Sequence, residues 1–144
     1  MDIGMKEKPR VLFLCTGNSC RSQMAEGILR NLQPDCEVYS AGTHPSAVHP
    51  WAVASMREIG IDISSHESKS VADLPVKSFD VVITVCDSAR QSCPSIPGAK
   101  RRVHWSIPDP AGADGTRAAI ESAFRTVREM LRERIESEFK EMPA

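Results

Sequence analysis

The sequence predicts an α/β fold, a three-layer sandwich in which a four-stranded, mainly parallel sheet is flanked by helices. Short apolar runs typical of buried strands alternate along the chain with segments whose apolar residues recur at helical spacing. Such alternation produces parallel sheets covered by helices, joined by right-handed crossovers. The 144 residues suit one domain. We therefore assign residues 1–9 to a flexible N-terminal extension and residues 10–144 to a single domain.

Four segments have the composition of strands: residues 11–15, 37–42, 79–86 and 100–105, the last at an edge of the sheet. The first strand ends at Cys15 and the third at Cys86. Ligands of parallel sheets bind beyond the carboxyl ends of the strands. We therefore expect the thiols of Cys15 and Cys86 to lie on the same rim.

Three segments have helical periodicity. The first spans residues 24–32 and is closed by Pro34, and the second spans residues 51–59 and is closed by Gly60. From residue 116 onward a long C-terminal helix carries a regular apolar stripe: Ile120, Phe124, Val127, Leu131, Ile135 and Phe139. A short helix is predicted between residues 70 and 74. These apolar faces are expected to cover the sheet.

The composition excludes several classes of function. With 41% apolar residues, 26% charged residues and a net charge of −1, the chain is an ordinary globular protein without a nucleic-acid or membrane partner. The N-terminal residues lack the apolar core of a signal peptide, so a cytoplasmic location is expected. Five cysteines, an odd number, favour reduced or transiently oxidised thiols over a disulfide framework. The four histidines lack zinc-site spacing, and we expect neither a metal nor another cofactor.

The segment after the first strand has the properties of an anion-binding loop. Between Cys15 and Arg21 lie five small or polar residues, whose backbone N–H groups can point inward beside a helix N-terminus. Gly17 and Asn18 are the types that most easily adopt positive φ. The predicted oxyanion-binding residues are Thr16, Gly17, Asn18, Ser19, Cys20, Arg21 and Ser22. The same donors favour the nucleophilic thiolate of Cys15, whereas the alternative is a structural cysteine with an incidental arginine.

Cys86 and Cys93 form a second group, separated by six polar or small residues. In a continuous helix their Cα atoms would lie ~10.5 Å apart along the axis. A disulfide requires a separation below about 7 Å, so a bond between them would require the segment to unwind. Such a rearranging segment fits a redox relay, and two unrelated thiols are the alternative.

The motif CTGNSCRS at residues 15–22 resembles the phosphate-binding loop of the low-molecular-weight tyrosine phosphatase fold. In detail it is more similar to the thioredoxin-coupled arsenate reductases, which share that fold and carry the Cys-x6-Cys pair. The resemblance extends over VYSAGT at 38–43, DISSH at 62–66, and HW followed by DPAG within 104–112. Phosphatases usually place an aromatic residue where this chain has Ala111.

The resemblance implies an arsenate reductase that acts in arsenic detoxification. Arg21 would bind arsenate, Cys15 would attack it, and Asp109 would be the general acid. Cys86 would then attack Cys15, and Cys93 would attack Cys86, leaving a disulfide for thioredoxin to reduce. Ser22 would hydrogen-bond the thiolate, and Asn18 would brace the loop.

Alternatives remain at this point. A low-molecular-weight protein tyrosine phosphatase would need only the first cysteine, and a non-enzymatic anion- or metal-responsive module would need no general acid. Some relatives bind potassium beside the loop through positions of the Asn18, Glu26 and Ser40 type; Lys69 stands where a further acidic ligand is expected, so we predict no such site. His66 is interpreted as a loop or packing residue. The chain is expected to be a monomer.

Overall fold

The structure is a computed structural model that describes residues 8–86 and 98–139. Within these residues the sheet has four parallel strands. The strands are β1 (Arg10–Cys15), β2 (Glu37–Gly42), β3 (Ser78–Thr84) and β4 (Gly98–His104). Their order is β2-β1-β3-β4, and each neighbouring pair is parallel. The predicted α/β fold with β4 at an edge is confirmed. Residues 1–7, 87–97 (including Cys93) and 140–144 lie outside the described residues.

The described residues form three α-helices, each after a strand: α1 (Arg21–Leu32), α2 (Pro50–Arg57) and α3 (Arg117–Phe139). The helix predicted at 70–74 is a 3-10 turn, Val71–Asp73, and a second 3-10 turn spans Pro110–Gly112. Gly60, predicted to stop α2, has a φ of 79°, as expected beyond a helix end. Within the described chain, no helix combines the length and the apolar character needed to cross a membrane.

The strands separate two apolar layers because successive side chains point to opposite faces. On β1, Val11 and Phe13 join the core formed with the three helices, whereas Leu12 and Leu14 join a smaller cluster with Leu74. The stripe predicted on α3 is confirmed, since five of its members are at most 2% exposed: Phe124, Val127, Leu131, Ile135 and Phe139. The apolar face of α3 therefore packs against α1 and α2 and completes the core on that side of the sheet.

The carboxyl edge of the sheet brings the predicted site residues together. Cys15 is opposite Gly42 across the β1–β2 ladder. The third strand is shorter than predicted, because β3 ends at Thr84 and Cys86 lies two residues beyond it. Val85 nevertheless donates its backbone N–H to Leu14 O at 2.8 Å, so the chain still follows β1 as it approaches Cys86.

Candidate active site

The loop between β1 and α1 is held by the segment that follows β2. Its carbonyls accept backbone hydrogen bonds as follows: Cys15 O from Thr43 N (3.1 Å), Thr16 O from His44 N (2.8 Å), Gly17 O from Ser46 N (3.0 Å) and Ser19 O from His49 N (3.0 Å). The backbone N–H groups of residues 17–21 donate to no group in the described part of the chain. With its carbonyls directed outward, the loop has the donor arrangement of an anion-binding nest.

Asn18 is the centre of the hydrogen-bond network behind this loop. It is fully buried and has a φ of 48°, so the predicted left-handed conformation is confirmed. Its Nδ2 donates to Ser22 Oγ at 2.8 Å and to Ser40 Oγ at 3.0 Å. Its Oδ1 accepts from Gln23 Nε2 at 2.9 Å and from the backbone N–H of Lys69 at 3.0 Å. These four hydrogen bonds stabilise the left-handed backbone conformation of Asn18, which residues other than glycine adopt only singly.

The two glycines nearest the loop differ in how closely they are packed. Gly17 does not have a positive φ, so that expectation was wrong, and a Cβ there would lie 3.1 Å from the hydroxyl oxygen of the exposed Ser46 side chain. The sequence pattern did not indicate that Gly42, at the end of β2, lies in close contact with the loop. A Cβ at Gly42 would lie 2.6 Å from Thr16 O and 2.9 Å from Asn18 N. The loop can approach the second strand this closely only because residue 42 has no side chain.

Cys15 lies at the base of the loop and is 2% exposed. Its Sγ is 2.8 Å from Ser22 Oγ. Because Asn18 Nδ2 donates to the same Ser22 oxygen, the hydroxyl hydrogen is available to the sulfur. A hydroxyl that donates to a thiolate stabilises the charged form.

Arg21 is anchored at the rim of the site. Its side chain is 12% exposed, and its Nη1 donates to Ile107 O at 3.0 Å. Nη2 lies 3.7 Å from Asp109 Oδ2, whereas the buried Nε has no partner in the described residues. A buried N–H without a partner is unfavourable, so it marks where a ligand oxygen is expected. Asp109 is 53% exposed, and its other oxygen accepts from Ala111 N at 2.9 Å.

The other thiols differ in environment. Cys86 is 2% exposed, and its Sγ lies 3.4 Å from Thr16 Oγ1, on the residue next to Cys15. Burial raises the pKa of Cys20 to about 11, so that this loop thiol stays protonated at neutral pH. Burial likewise raises the pKa of Cys36, which precedes β2, to about 11. Cys93 lies outside the described residues.

Two polar residues next to the loop were not predicted as part of the site. Gln23, fully buried in the first turn of α1, donates from Nε2 to both Asn18 Oδ1 and the Glu67 carbonyl, the latter at 3.1 Å. His66 Nδ1 lies 2.9 Å from Gln23 Oε1. The pKa of His66 is lowered, chiefly by burial. The one feature of the sequence that could have indicated a role for Gln23 is that a polar residue stands among the apolar positions of α1.

The side chains at the positions where some relatives bind potassium make contacts within this protein. Glu26, 5% exposed, pairs with Arg30 at 2.6 Å and accepts a short hydrogen bond from Ser40 Oγ. Lys69 Nζ donates to the Glu67 carbonyl at 2.9 Å. No group of three or more His, Cys, Asp or Glu side chains is arranged for a metal within residues 8–86 and 98–139. The absence of a metal site stays a prediction.

A parallel sheet whose first strand leads through a cysteine-to-arginine loop into a helix N-terminus defines a structural class, and the loop has the donor arrangement of an anion-binding nest. Comparison with known families identifies the class more closely. The chain belongs to the low molecular weight phosphotyrosine protein phosphatase family, whose sequence profile matches residues 10–143.

Within that family the chain is similar to arsenate reductases. It is 46% identical to an arsenate reductase of Halalkalibacterium halodurans over 131 residues, which cover 90% of this chain and 94% of the relative. A solved arsenate reductase in a phosphate-binding state is 36% identical with a TM-score of 0.81, covering 94% of this chain and 99% of that one. A low molecular weight protein tyrosine phosphatase from T. tengcongensis is 28% identical with a TM-score of 0.76, covering 94% and 100%.

Proposed function

We propose that this protein is an arsenate reductase that converts arsenate to arsenite through a relay of three cysteines, regenerated by thioredoxin. The observation that carries the proposal is that a second thiol contacts the anion loop that begins at Cys15. Cys15 Sγ contacts Ser22 Oγ at 2.8 Å, and Cys86 Sγ contacts Thr16 Oγ1 at 3.4 Å. Hydrolysis of a phosphate ester needs the first thiol alone, whereas reduction needs a second thiol within reach of the first.

The substrate would bind in the nest formed by residues 16–22. Arsenate is a tetrahedral oxyanion, and the inward N–H groups of the loop supply donors to its oxygens. Arg21 adds a planar fork, and its unpartnered buried Nε is a donor directed to a ligand. A relative of the same fold solved in a phosphate-binding state supports the binding of a tetrahedral oxyanion.

In the first step the Cys15 thiolate attacks arsenic, and an S–As bond forms as an As–O bond breaks. Asp109 would protonate the departing oxygen, which leaves as water; such proton delivery typically contributes about 10²–10⁴-fold. Its carboxyl lies at the rim, 3.7 Å from the Arg21 guanidinium that binds the anion. The product of this step is a Cys15–arsenic(V) adduct.

In the second step the Cys86 thiolate attacks Cys15 Sγ. The S–As bond breaks, its electron pair remains on arsenic, and arsenite leaves while a Cys15–Cys86 disulfide forms. The Cys86 sulfur lies 3.4 Å from Thr16 Oγ1, beside the residue that follows Cys15. Cys93 then attacks Cys86 Sγ, which releases the Cys15 thiolate and leaves a Cys86–Cys93 disulfide. Each transfer follows ordinary thiol–disulfide exchange.

The relay leaves one disulfide, so each cycle needs a thiol reductant that supplies two electrons. We propose thioredoxin as this reductant. We also propose that the protein is cytoplasmic, because the cytosol keeps thiols reduced, and that it acts as a monomer. Cys20 stays outside the relay, because burial holds its thiol protonated.

The test is arsenate-dependent oxidation of NADPH in the presence of thioredoxin and thioredoxin reductase, compared with glutaredoxin and glutathione. After one turnover without reductant, peptide mapping should find Cys86 linked to Cys93. Arsenite formed while both of these thiols stay reduced would exclude the relay.

Variants separate reduction from phosphatase activity. Cys93→Ser should abolish steady-state arsenate turnover and leave hydrolysis of an aryl phosphate unchanged, because hydrolysis needs only Cys15, Arg21 and Asp109. Cys36→Ser is the matched control and should retain both activities. Cys36 precedes β2 and so lies at the amino end of that strand, whereas the site lies at the carboxyl ends of the strands. Loss of aryl phosphate hydrolysis in Cys93→Ser, or unchanged arsenate turnover, would contradict the assignment.

A further inference from the structure

A buried carboxamide contacts the anion loop and takes no part in the chemistry described above. Gln23 is 0% exposed, in the first turn of α1. Its Nε2 lies 3.2 Å from Asn18 O, 2.9 Å from Asn18 Oδ1 and 3.1 Å from Glu67 O. Its Oε1 lies 2.9 Å from His66 Nδ1. One side chain thus joins the loop to the segment carrying residues 66 and 67.

The direction of each hydrogen bond in this group is fixed by its neighbours. Asn18 must present its oxygen to Gln23, because the same atom accepts the backbone N–H of Lys69 at 3.0 Å. Gln23 must present its nitrogen to Asn18, because that atom also faces the carbonyl of Glu67. The Gln23 oxygen therefore faces His66, whose Nδ1 must carry the hydrogen.

The hydrogen-bond directions are fixed in the same way as far as the Cys15 sulfur. With its oxygen occupied, Asn18 donates from Nδ2 to Ser22 Oγ at 2.8 Å. Ser22 in turn directs its hydroxyl hydrogen to Cys15 Sγ, at 2.8 Å. The result is a continuous row of donors from His66 through Gln23 to Cys15. Hydrogen bonds in such a row polarise one another in the same direction.

We propose that Gln23 is a positioning residue for the Cys15 thiolate: its carboxamide, oriented by His66, holds Asn18 so that Ser22 donates to the sulfur. The proposal rests on the proposed function in one respect, the assignment of Cys15 as the nucleophile. Gln23 contacts the loop at Asn18, and its hydrogen bonds within the described residues do not include Cys15 Sγ. It acts by fixing the amide of Asn18, whose φ of 48° is otherwise unfavourable for a residue with a side chain.

Charged groups near the row do not change when Gln23 is substituted. Those that act on His66 are Glu26, Arg30, Lys69 and Asp62. Glu26 is already paired with Arg30 at 2.6 Å. A change in the pH profile of Cys15 reactivity after substitution of Gln23 therefore reports the loss of the carboxamide.

The experiment measures alkylation of Cys15 by iodoacetamide across pH, followed by peptide mapping, without arsenate. Gln23→Met keeps the size of the side chain and removes its donor and acceptor. We expect the pH of half-maximal rate to rise by about one unit, with alkylation at neutral pH about tenfold slower, as for loss of a hydrogen bond to a charged group. Gln33→Met is the matched control, since Gln33 donates to Phe139 O at the far end of α1, and its profile should stay unchanged.

A second pair of variants tests the orienting role of His66. His66→Asn keeps an N–H donor near the Nδ1 position and should retain the parent profile, whereas His66→Phe should shift it upward. This pair decides the matter even where thermal unfolding shows that Gln23→Met does not fold. Unchanged profiles in folded Gln23→Met or in His66→Phe would overturn the proposal. A parent Cys15 that reacts no faster than Cys36 would instead overturn the assignment of the nucleophile.

Discussion

Substitution of Gly42 by alanine tests how closely the anion loop must approach the sheet. A Cβ at this position would lie 2.6 Å from Thr16 O, 2.9 Å from Asn18 N and 3.1 Å from Asn18 Cβ, although ordinary contact begins at 3.4 Å. Two of these atoms belong to the backbone. Restoring ordinary contact with Thr16 O requires a movement of about 0.8 Å, the difference between 3.4 Å and 2.6 Å.

The movement has two measurable effects. Overpacking of this kind destabilises a protein by about 1–3 kcal/mol, and each kcal/mol lowers the Tm of a chain of this size by roughly 2–4 °C. Displacement of site groups by about 1 Å can reduce activity about 100-fold. We therefore expect Gly42→Ala to lose most of its arsenate turnover while it remains folded.

The assay combines three measurements on the parent and the variant: thermal unfolding, arsenate turnover, and protection of Cys15 from alkylation by inorganic phosphate. Gly112→Ala is the control, because a Cβ at Gly112 has no atom within 4 Å. Turnover and phosphate protection equal to those of the parent in Gly42→Ala, with an unchanged Tm, would refute the close-approach reasoning.

Two further predictions follow from named contacts. Ser22→Ala removes the hydroxyl donor 2.8 Å from Cys15 Sγ and should slow alkylation of Cys15 at neutral pH about tenfold, as measured by peptide mapping; an unchanged rate would show that the hydroxyl does not stabilise the thiolate. Hydrogen bonds from Arg125 and Arg128 lower the pKa of Glu58 from 4.5 to about 2. A lowered pKa gives stability that is present above the unfolded value and is lost as pH falls from about 4.5 to about 2. The Tm of the parent should therefore exceed that of Glu58→Gln at pH 6, and the two Tm values should converge near pH 2. A difference in Tm that does not depend on pH would contradict this.

Regular elements could be predicted because their patterns are local. The second strand has the predicted bounds, 37–42, since its apolar residues end at a glycine. The stripe on α3 is buried as its spacing requires. The end of β3 was predicted two residues too late, because an apolar run does not show where sheet pairing stops.

The chemistry of the loop could be predicted in part. A thiol, an arginine and small residues between them indicate an anion nest, and Asn18 has the expected backbone conformation. Gln23 could not be predicted, because its partners come from positions 18 and 67, and only the folded chain brings these together. Gly42 was missed for the same reason, since its neighbours lie on another strand.

The outward carbonyls of the anion loop have a consequence for protein engineering. Four of them are satisfied by backbone donors of residues 43–49, so the eight-residue motif at 15–22 is only half of a folded unit. A graft of that motif into another scaffold would leave its carbonyls unsatisfied and free to turn inward, where they would repel an anion. A transplant that includes residues 42–49 with the motif should keep the donors facing the ligand.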